Sequence, residues 1–223
     1  MAQIIGIIQV KGGAGRSTVA TNLACMMSIH KPAVLIDCDM PQGTSASWFA
    51  IRKAAGRQGN LSIATARDHL ELVEKIRVLG TQHDYIIIDA PPRIAEITRA
   101  SLILSDLCII PTGPSLPDIW AISDLLKTIE QARERKPDVA ARVLWNKFRA
   151  TSRSAHELSR SAVSELKLQE MGSRLGYRVA YSDAYGEGMS VLEWHDRAAQ
   201  DEMRMLGIEL EYILKTKFMR KAA

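Results

Sequence analysis

The chain has 223 residues, 47% hydrophobic and 24% charged, with 29 Lys+Arg against 25 Asp+Glu and a formal net charge of +4. That length supports one domain with a sizeable core, and the mild basicity permits an anionic partner without demanding one. Cys25, Cys38 and Cys108 are far apart and in no paired or metal-ligating spacing, which argues against a disulfide framework and for a reduced, cytoplasmic setting. No apolar window of ~18 residues and no leader pattern occurs, so neither stable membrane insertion nor a signal peptide is expected.

Short apolar runs alternate with longer amphipathic segments. In chain order, residues 4–10 read as a strand and 17–29 as a helix. Strand 33–37 follows, then helix 45–55, a weaker strand at 61–64 and helix 68–79. Strand 85–89, helix 95–104, strand 107–111 and helix 118–135 come next. Strand 141–145, helix 155–171, strand 177–181 and a long helix 190–217 complete the reading. Pro117 before Asp118 suits a helix start, and Gly80 and Gly172 suit helix ends. The nearly all-apolar strands point to a parallel sheet covered on both faces. The fold expected is α/β: a three-layer sandwich with a mostly parallel, doubly wound sheet of about seven or eight strands, in one domain over 1–223.

The first strand runs into Lys11-Gly12-Gly13-Ala14-Gly15-Arg16-Ser17-Thr18, with a helical pattern directly after it. Strand, glycine-rich loop and helix form the setting of a phosphate-binding P-loop. Glycines let main-chain N–H groups turn inward around an anion, and the helix start adds unpaired N–H groups and its positive dipole end. Ser17 is placed to ligate Mg²⁺, and Thr18 to contact a phosphate near the adenosine end. The loop departs from G-x-x-x-x-G-K-[ST] at Arg16, where lysine is usual. Arginine keeps the charge but is longer and planar, so nucleotide binding is expected to be stronger than hydrolysis.

Asp37, Asp39 and Asp89 fall at predicted C-terminal strand ends, the edge where open α/β sheets bind ligands. Each also has an ordinary role open to it, capping a strand-to-loop turn. Asn146 is either an amide that pairs with a base or a plain turn residue. Asp118 reads as a helix cap that could also bridge Lys11. Cys38 should point away from its acidic neighbours into the core.

With its leading lysine, the loop resembles the deviant Walker A motif of the ParA/MinD family of ATPases. Four further segments are similar to that family: Asp37-Cys38-Asp39-Met40-Pro41-Gln42-Gly43, Tyr85-Ile86-Ile87-Ile88-Asp89-Ala90-Pro91-Pro92, Pro114–Asp118 with Asn146, and the junction 181–193. The length resembles that of small ParA proteins without an N-terminal helix-turn-helix domain. The resemblance implies P-loop NTPase architecture and an ATPase using ATP and Mg²⁺. It implies catalytic roles for Lys11, Arg16 and Asp39, with Lys11 reaching a partner's phosphates across an ATP-bound homodimer and Asp39 positioning water. It implies metal support from Ser17, Asp37 and Asp89, and base contacts from Asn146, Ser182 and Asp183. It further implies a nucleoid-associated switch that positions a plasmid, chromosome locus or protein cluster, with slow hydrolysis triggered by a ParB-type cargo adaptor.

Two basic clusters favour non-specific DNA as the surface acted on. Arg149 and Arg153 lie in one, and Lys215, Lys217, Arg220 and Lys221 in the other. The alternative, a MinD-like membrane-associated ATPase, would use the apolar and lysine-rich stretch 213–221. A scaffold relative carrying a bridging metal cluster is disfavoured by the cysteine spacing.

Overall fold

The computed structural model describes residues 2–219. Strands β1 (Gln3–Ile7), β2 (Ala33–Asp37), β3 (Leu61–Thr65), β4 (Tyr85–Asp89), β5 (Leu107–Thr112), β6 (Ala141–Phe148) and β7 (Gln169–Gly176) form one sheet in the order β3-β2-β4-β1-β5-β6-β7. Every pairing in it is parallel. The helices are α1 (Arg16–Met27), α2 (Thr44–Ala54), α3 (His69–Leu79), α4 (Glu96–Leu104), α5 (Leu116–Arg135), α6 (Arg153–Leu166), α7 (Val179–Gly186) and α8 (Arg197–Leu214).

Strand residues alternate between two cores, as the pleat requires. Ile5, Ile7, Leu35, Ile87 and Ile109 pack with α1, α2, α7 and α8 on one face. Val34, Ile36, Ile86 and Ile88 face the other way, over α3 and α4. Cys108 and Ile110 pack with α5 and α6 on that second face. Both faces are therefore apolar, which is why these strands show no polar alternation. Cys38 belongs to the second core, as expected. The strand order reverses direction around β1, and the P-loop leaves the C-terminal end of that central strand.

The last third of the chain departs from expectation. The strand expected at 177–181 is instead the start of α7; the strand is β7, eight residues earlier. Its sequence, QEMGSRLG, holds two glycines and only Met171 and Leu175 are buried, because it is the sheet edge. An edge strand with a single covered face lacks the apolar run that marked the others. The preceding helix ends at Leu166, with Lys167 in the left-handed region, rather than continuing to residue 171. The helix expected over 190–217 is two elements: a 3-10 turn (Val191–Glu193) closed by a Ser190–Glu193 capping box, then α8 capped by Asp196.

After α8 the chain turns back at Lys215. Glu211 Oε1 accepts the N–H groups of Phe218 and Met219 at 2.7 and 2.8 Å. Phe218 is buried and meets the Tyr85 ring edge-on, 5.8 Å between centroids. The described part of 213–221 is thus a docked tail whose largest apolar side chain is spent on the core. Arg220 and Lys221 lie outside the described residues. Replacing Phe218 with alanine should cost about 3 kcal/mol or more of unfolding free energy in urea titration; a loss below about 1 kcal/mol would mean the tail is undocked in solution.

Candidate nucleotide site

The loop from β1 to α1 carries Gly13 at φ 76° and Gly15 at φ 93°, conformations that side-chain-bearing residues rarely adopt. Gly15 is the N-cap of α1 and offers no side chain to the first turn, which leaves the N–H groups there for a ligand. A Cβ on Gly15 would also sit 2.3 Å from Asn146 Nδ2. This geometry is that of an anion cradle.

Arg16 turns inward and is buried. Its Nε donates to Ala90 O at 2.9 Å, and Nη1 donates to Gln9 O and Lys11 O at 2.8 and 2.9 Å. Nη2 lies 3.6 Å from Asp39 Oδ2. Burial holds its pKa below the usual arginine value, with Asp89 and then Asp39 opposing that shift. The Arg16 side chain thus holds main-chain carbonyls, because its planar fork fits the gap between the loop entrance and the β4 end.

The carboxylates meet because β2, β4 and β1 are neighbours: Asp37 is level with Asp89, and Asp89 with Ile7. Asp37 accepts Asp39 N at 3.0 Å and Ala46 N at 2.8 Å, so it shapes the turn into α2. Asp89 is fully buried, and its Oδ2 accepts the Ser45 hydroxyl at 2.7 Å. Its Oδ1 has no hydrogen-bond partner among the described residues. Burial pushes the Asp89 carboxyl up to about 6; the Ser45 and Ser17 hydroxyls pull it back, Asp37 adds repulsion, and Arg16 opposes it. An orphaned carboxylate oxygen beside a P-loop serine fits a magnesium ion, which takes oxygen ligands. Among the described residues no group of three or more His, Cys, Asp or Glu is placed to hold a metal ion.

At the loop entrance Lys11 Nζ lies 2.6 Å from Asp118 Oδ1, and the Ser115 hydroxyl also donates to Asp118. Lys11 is partly exposed at 36% and points away from its own loop cradle toward α5.

Beyond Thr18 a cavity of about 300 Å³ is lined by Gly15, Thr18, Asn146, Lys147, Tyr177 and Ser182, among others. Its position beside the helix end of the loop suits the nucleoside. Asn146 Nδ2 donates to Ala14 O at 2.8 Å and its Oδ1 accepts Lys147 N at 2.9 Å, so each end of the amide already has one partner. Lys147, in the left-handed region, donates from Nζ to Gly13 O at 2.7 Å. Ser182 lines the cavity, whereas Asp183 is exposed on α7 and does not. A larger groove of about 810 Å³ runs between β7 and α8, away from every residue of the phosphate loop.

Two contributors escaped the sequence reading. Lys147 adjoins Asn146, and nothing in its spacing sets it apart from other basic residues of the segment. Glu202, on α8, gave no signal at all, yet it organises the outer cavity wall. Its carboxylate accepts Gly176 N at 2.9 Å, Arg178 Nε at 2.8 Å and the Tyr181 hydroxyl at 3.0 Å.

The basic clusters do not share a face. Arg149 stacks on the Tyr177 ring at 4.9 Å and Arg153 pairs with Glu157, both at the P-loop end of the sheet. Lys215 and Lys217 follow α8 at the opposite end, where Phe218 packs on Tyr85, the first residue of β4; Lys217 pairs there with Glu211. Chain reversal after α8 is what separates them.

Replacing Glu202 with alanine should weaken Mg·ATP binding about tenfold by freeing the wall segment 176–181, as calorimetric titration would read. Unchanged affinity would mean the wall plays no part in binding.

Comparison with known proteins agrees with this geometry. A family model described as an AAA domain matches residues 53–141. The chain is 26% identical over 206 residues to the maintenance of carboxysome distribution protein A of Halothiobacillus neapolitanus, covering 91% of this chain and 93% of that one. It is 30% identical over 166 residues to the sporulation initiation inhibitor protein Soj of Bacillus subtilis, covering 58% of this chain and 65% of Soj. The fold superposes on an ATP complex of a Cyanothece McdA variant with a TM-score of 0.78 at 15% identity, covering 99% of each chain. Glycine-rich cradle, orphaned carboxylate, parallel sheet and relatives agree: the chain is similar to the ParA/MinD family of P-loop ATPases.

Proposed function

We propose that this chain is an ATP-dependent dimerisation switch of ParA type that binds non-specific DNA and positions or segregates a cargo, with slow hydrolysis triggered by a partner. The observation that carries the reading is the placement of Lys11. An isolated P-loop has no need of a second cation at its entrance, yet Lys11 stands at the mouth on a single ion pair to Asp118. In the proposed cycle Lys11 leaves Asp118 and meets the phosphates bound by a second copy, so ATP favours the dimer and hydrolysis releases it.

The loop amides bind the polyphosphate and the α1 N-terminus faces its charge. Magnesium, held by Ser17 and Asp89 with Asp37 behind them, would neutralise charge developing on the transferred phosphoryl group. Asp39, beside Arg16, would orient the attacking water. Asn146 would read the base from the cavity wall, joined by Ser182.

The relatives' names concern carboxysome distribution and sporulation initiation, which supports a positioning role and leaves the cargo open. A protein adaptor equivalent to ParB would select that cargo. For DNA, the cluster with Arg149 and Arg153 is favoured over Lys215 and Lys217, because it shares the sheet end where a dimer would form. The docked Phe218 argues against a free amphipathic membrane tail, and no described helix is long and apolar enough to cross a membrane. These points favour a cytoplasmic, nucleoid-associated protein.

Light scattering should report a dimer with Mg·ATP and a monomer with Mg·ADP, and the Mg·ATP form alone should retard random-sequence DNA in a salt-sensitive way. The Lys11→Ala protein should bind ATP yet stay monomeric; a monomer in the wild type with either nucleotide would remove the mechanism.

Asp89 yields a pH test. Its folded pKa of about 6 lies above the ordinary aspartate value of 3.8, so its neutral form stabilises the nucleotide-free protein at low pH. That contribution fades as pH rises through about 6, by on the order of 2–3 kcal/mol. Asp89→Asn should therefore melt higher than wild type near pH 7 without nucleotide, lose that advantage near pH 4, and lose magnesium-dependent nucleotide affinity. Equal melting temperatures at both pH values would mean Asp89 is already compensated.

A further inference from the structure

Arg16 departs from the usual loop lysine, and its surroundings give that departure a role. The loop is rooted on two sides. On the β5 side, buried Gln9 accepts the N–H groups of Val10 and Lys11 at 2.8 and 3.4 Å, and its amide nitrogen donates to Pro111 O and Thr112 Oγ1 at 3.3 Å each. On the β4 side, Arg16 donates to the carbonyls of Gln9, Lys11 and Ala90. N–H groups of the loop entrance are thus fastened to one neighbouring strand and its carbonyls to the other.

From these bonds we infer that Arg16 is a positioning residue, a main-chain clasp that fixes the loop entrance, and that phosphate contact is left to the loop amides and to Lys11. A guanidinium has five N–H groups in a rigid plane. Here Nε and Nη1 serve acceptors on β4 and on the loop entrance at once, while Nη2 faces Asp39. Lysine presents one nitrogen and cannot bridge both sides, so lysine would not restore this site. Releasing the guanidinium to a phosphate would strand the buried carbonyls of Gln9 and Ala90 and the part-buried carbonyl of Lys11. On this reading the loop is built around arginine.

This inference rests on the phosphate-loop reading, and the test separates the two. Titration calorimetry with Mg·ADP and Mg·ATP would compare wild type, Arg16→Lys and Arg16→Ala, with steady-state ATPase alongside. Both variants should lose affinity by about tenfold or more for both nucleotides in equal measure. At saturating ATP, kcat should fall by a smaller factor than KM rises, because Arg16 reaches the reacting atoms only through Asp39. An Arg16→Lys protein that binds as tightly as wild type, or that loses ATP but keeps ADP, would overturn the inference. A fall in kcat with KM unchanged would do the same. Failure of the wild type to bind either nucleotide would instead sink the phosphate-loop reading itself. A measurement on the wild type covers unstable variants. In arginine-labelled protein the Arg16 Nε–H resonance should exchange slowly and stay in place on adding Mg·ATP. A large displacement, or coupling to phosphorus, would place the guanidinium on the phosphates and refute the clasp.

Discussion

Three carboxylates and one guanidinium share a buried corner at the C-terminal ends of β2 and β4, and most of the site's behaviour follows from how that charge is held. Asp37 is relieved by two main-chain N–H groups, Asp39 by Arg16, and Asp89 by a hydrogen bond from Ser45 on one oxygen, with Ser17 and Arg16 also favouring its charge. Acid therefore outweighs base in a place shielded from water, and one oxygen of Asp89 is left without a donor. Burying unpaired charge is expensive, so the corner is stable only if a proton or a cation supplies what is missing. A divalent ion arriving with a polyphosphate would supply it.

The sheet order makes that corner. Inserting β4 between β1 and β2 brings Asp89 level with Asp37 and directly beside the loop that leaves β1. The same insertion sends helices to both faces, where apolar residues from alternate strand positions fill two cores. The rigid part of the molecule thus holds the phosphate end of the site. The nucleoside end is different: it rests on the edge strand β7, the first residues of α7 and one carboxylate on α8. Glu202 is consequently the link through which the last long helix holds that cavity wall.

Lys11 and Arg16 divide the two cationic duties that the loop sequence presents side by side. Arg16 is buried and bonded to carbonyls, a position that shapes backbone. Lys11 is partly exposed and held through a single carboxylate, a position from which it can leave. An exposed ion pair contributes little stability and a buried, multiply bonded guanidinium much more, so the lysine is the mobile member.

The sequence by itself determined the central strands, the phosphate loop and the acidic strand ends. These are local: glycine conformations, strand-to-helix order and strands with both faces buried leave their mark on neighbouring residues. It did not reveal β7, whose one covered face leaves only two buried residues to notice, nor the break between residues 190 and 197. Only the tertiary structure decided what Arg16 touches, that both ends of the Asn146 amide are engaged, that Glu202 supports the cavity, and that the two basic clusters lie at opposite ends. Each of those depends on groups far apart in the chain meeting in space, and no spacing along the sequence encodes which carbonyl a guanidinium will find.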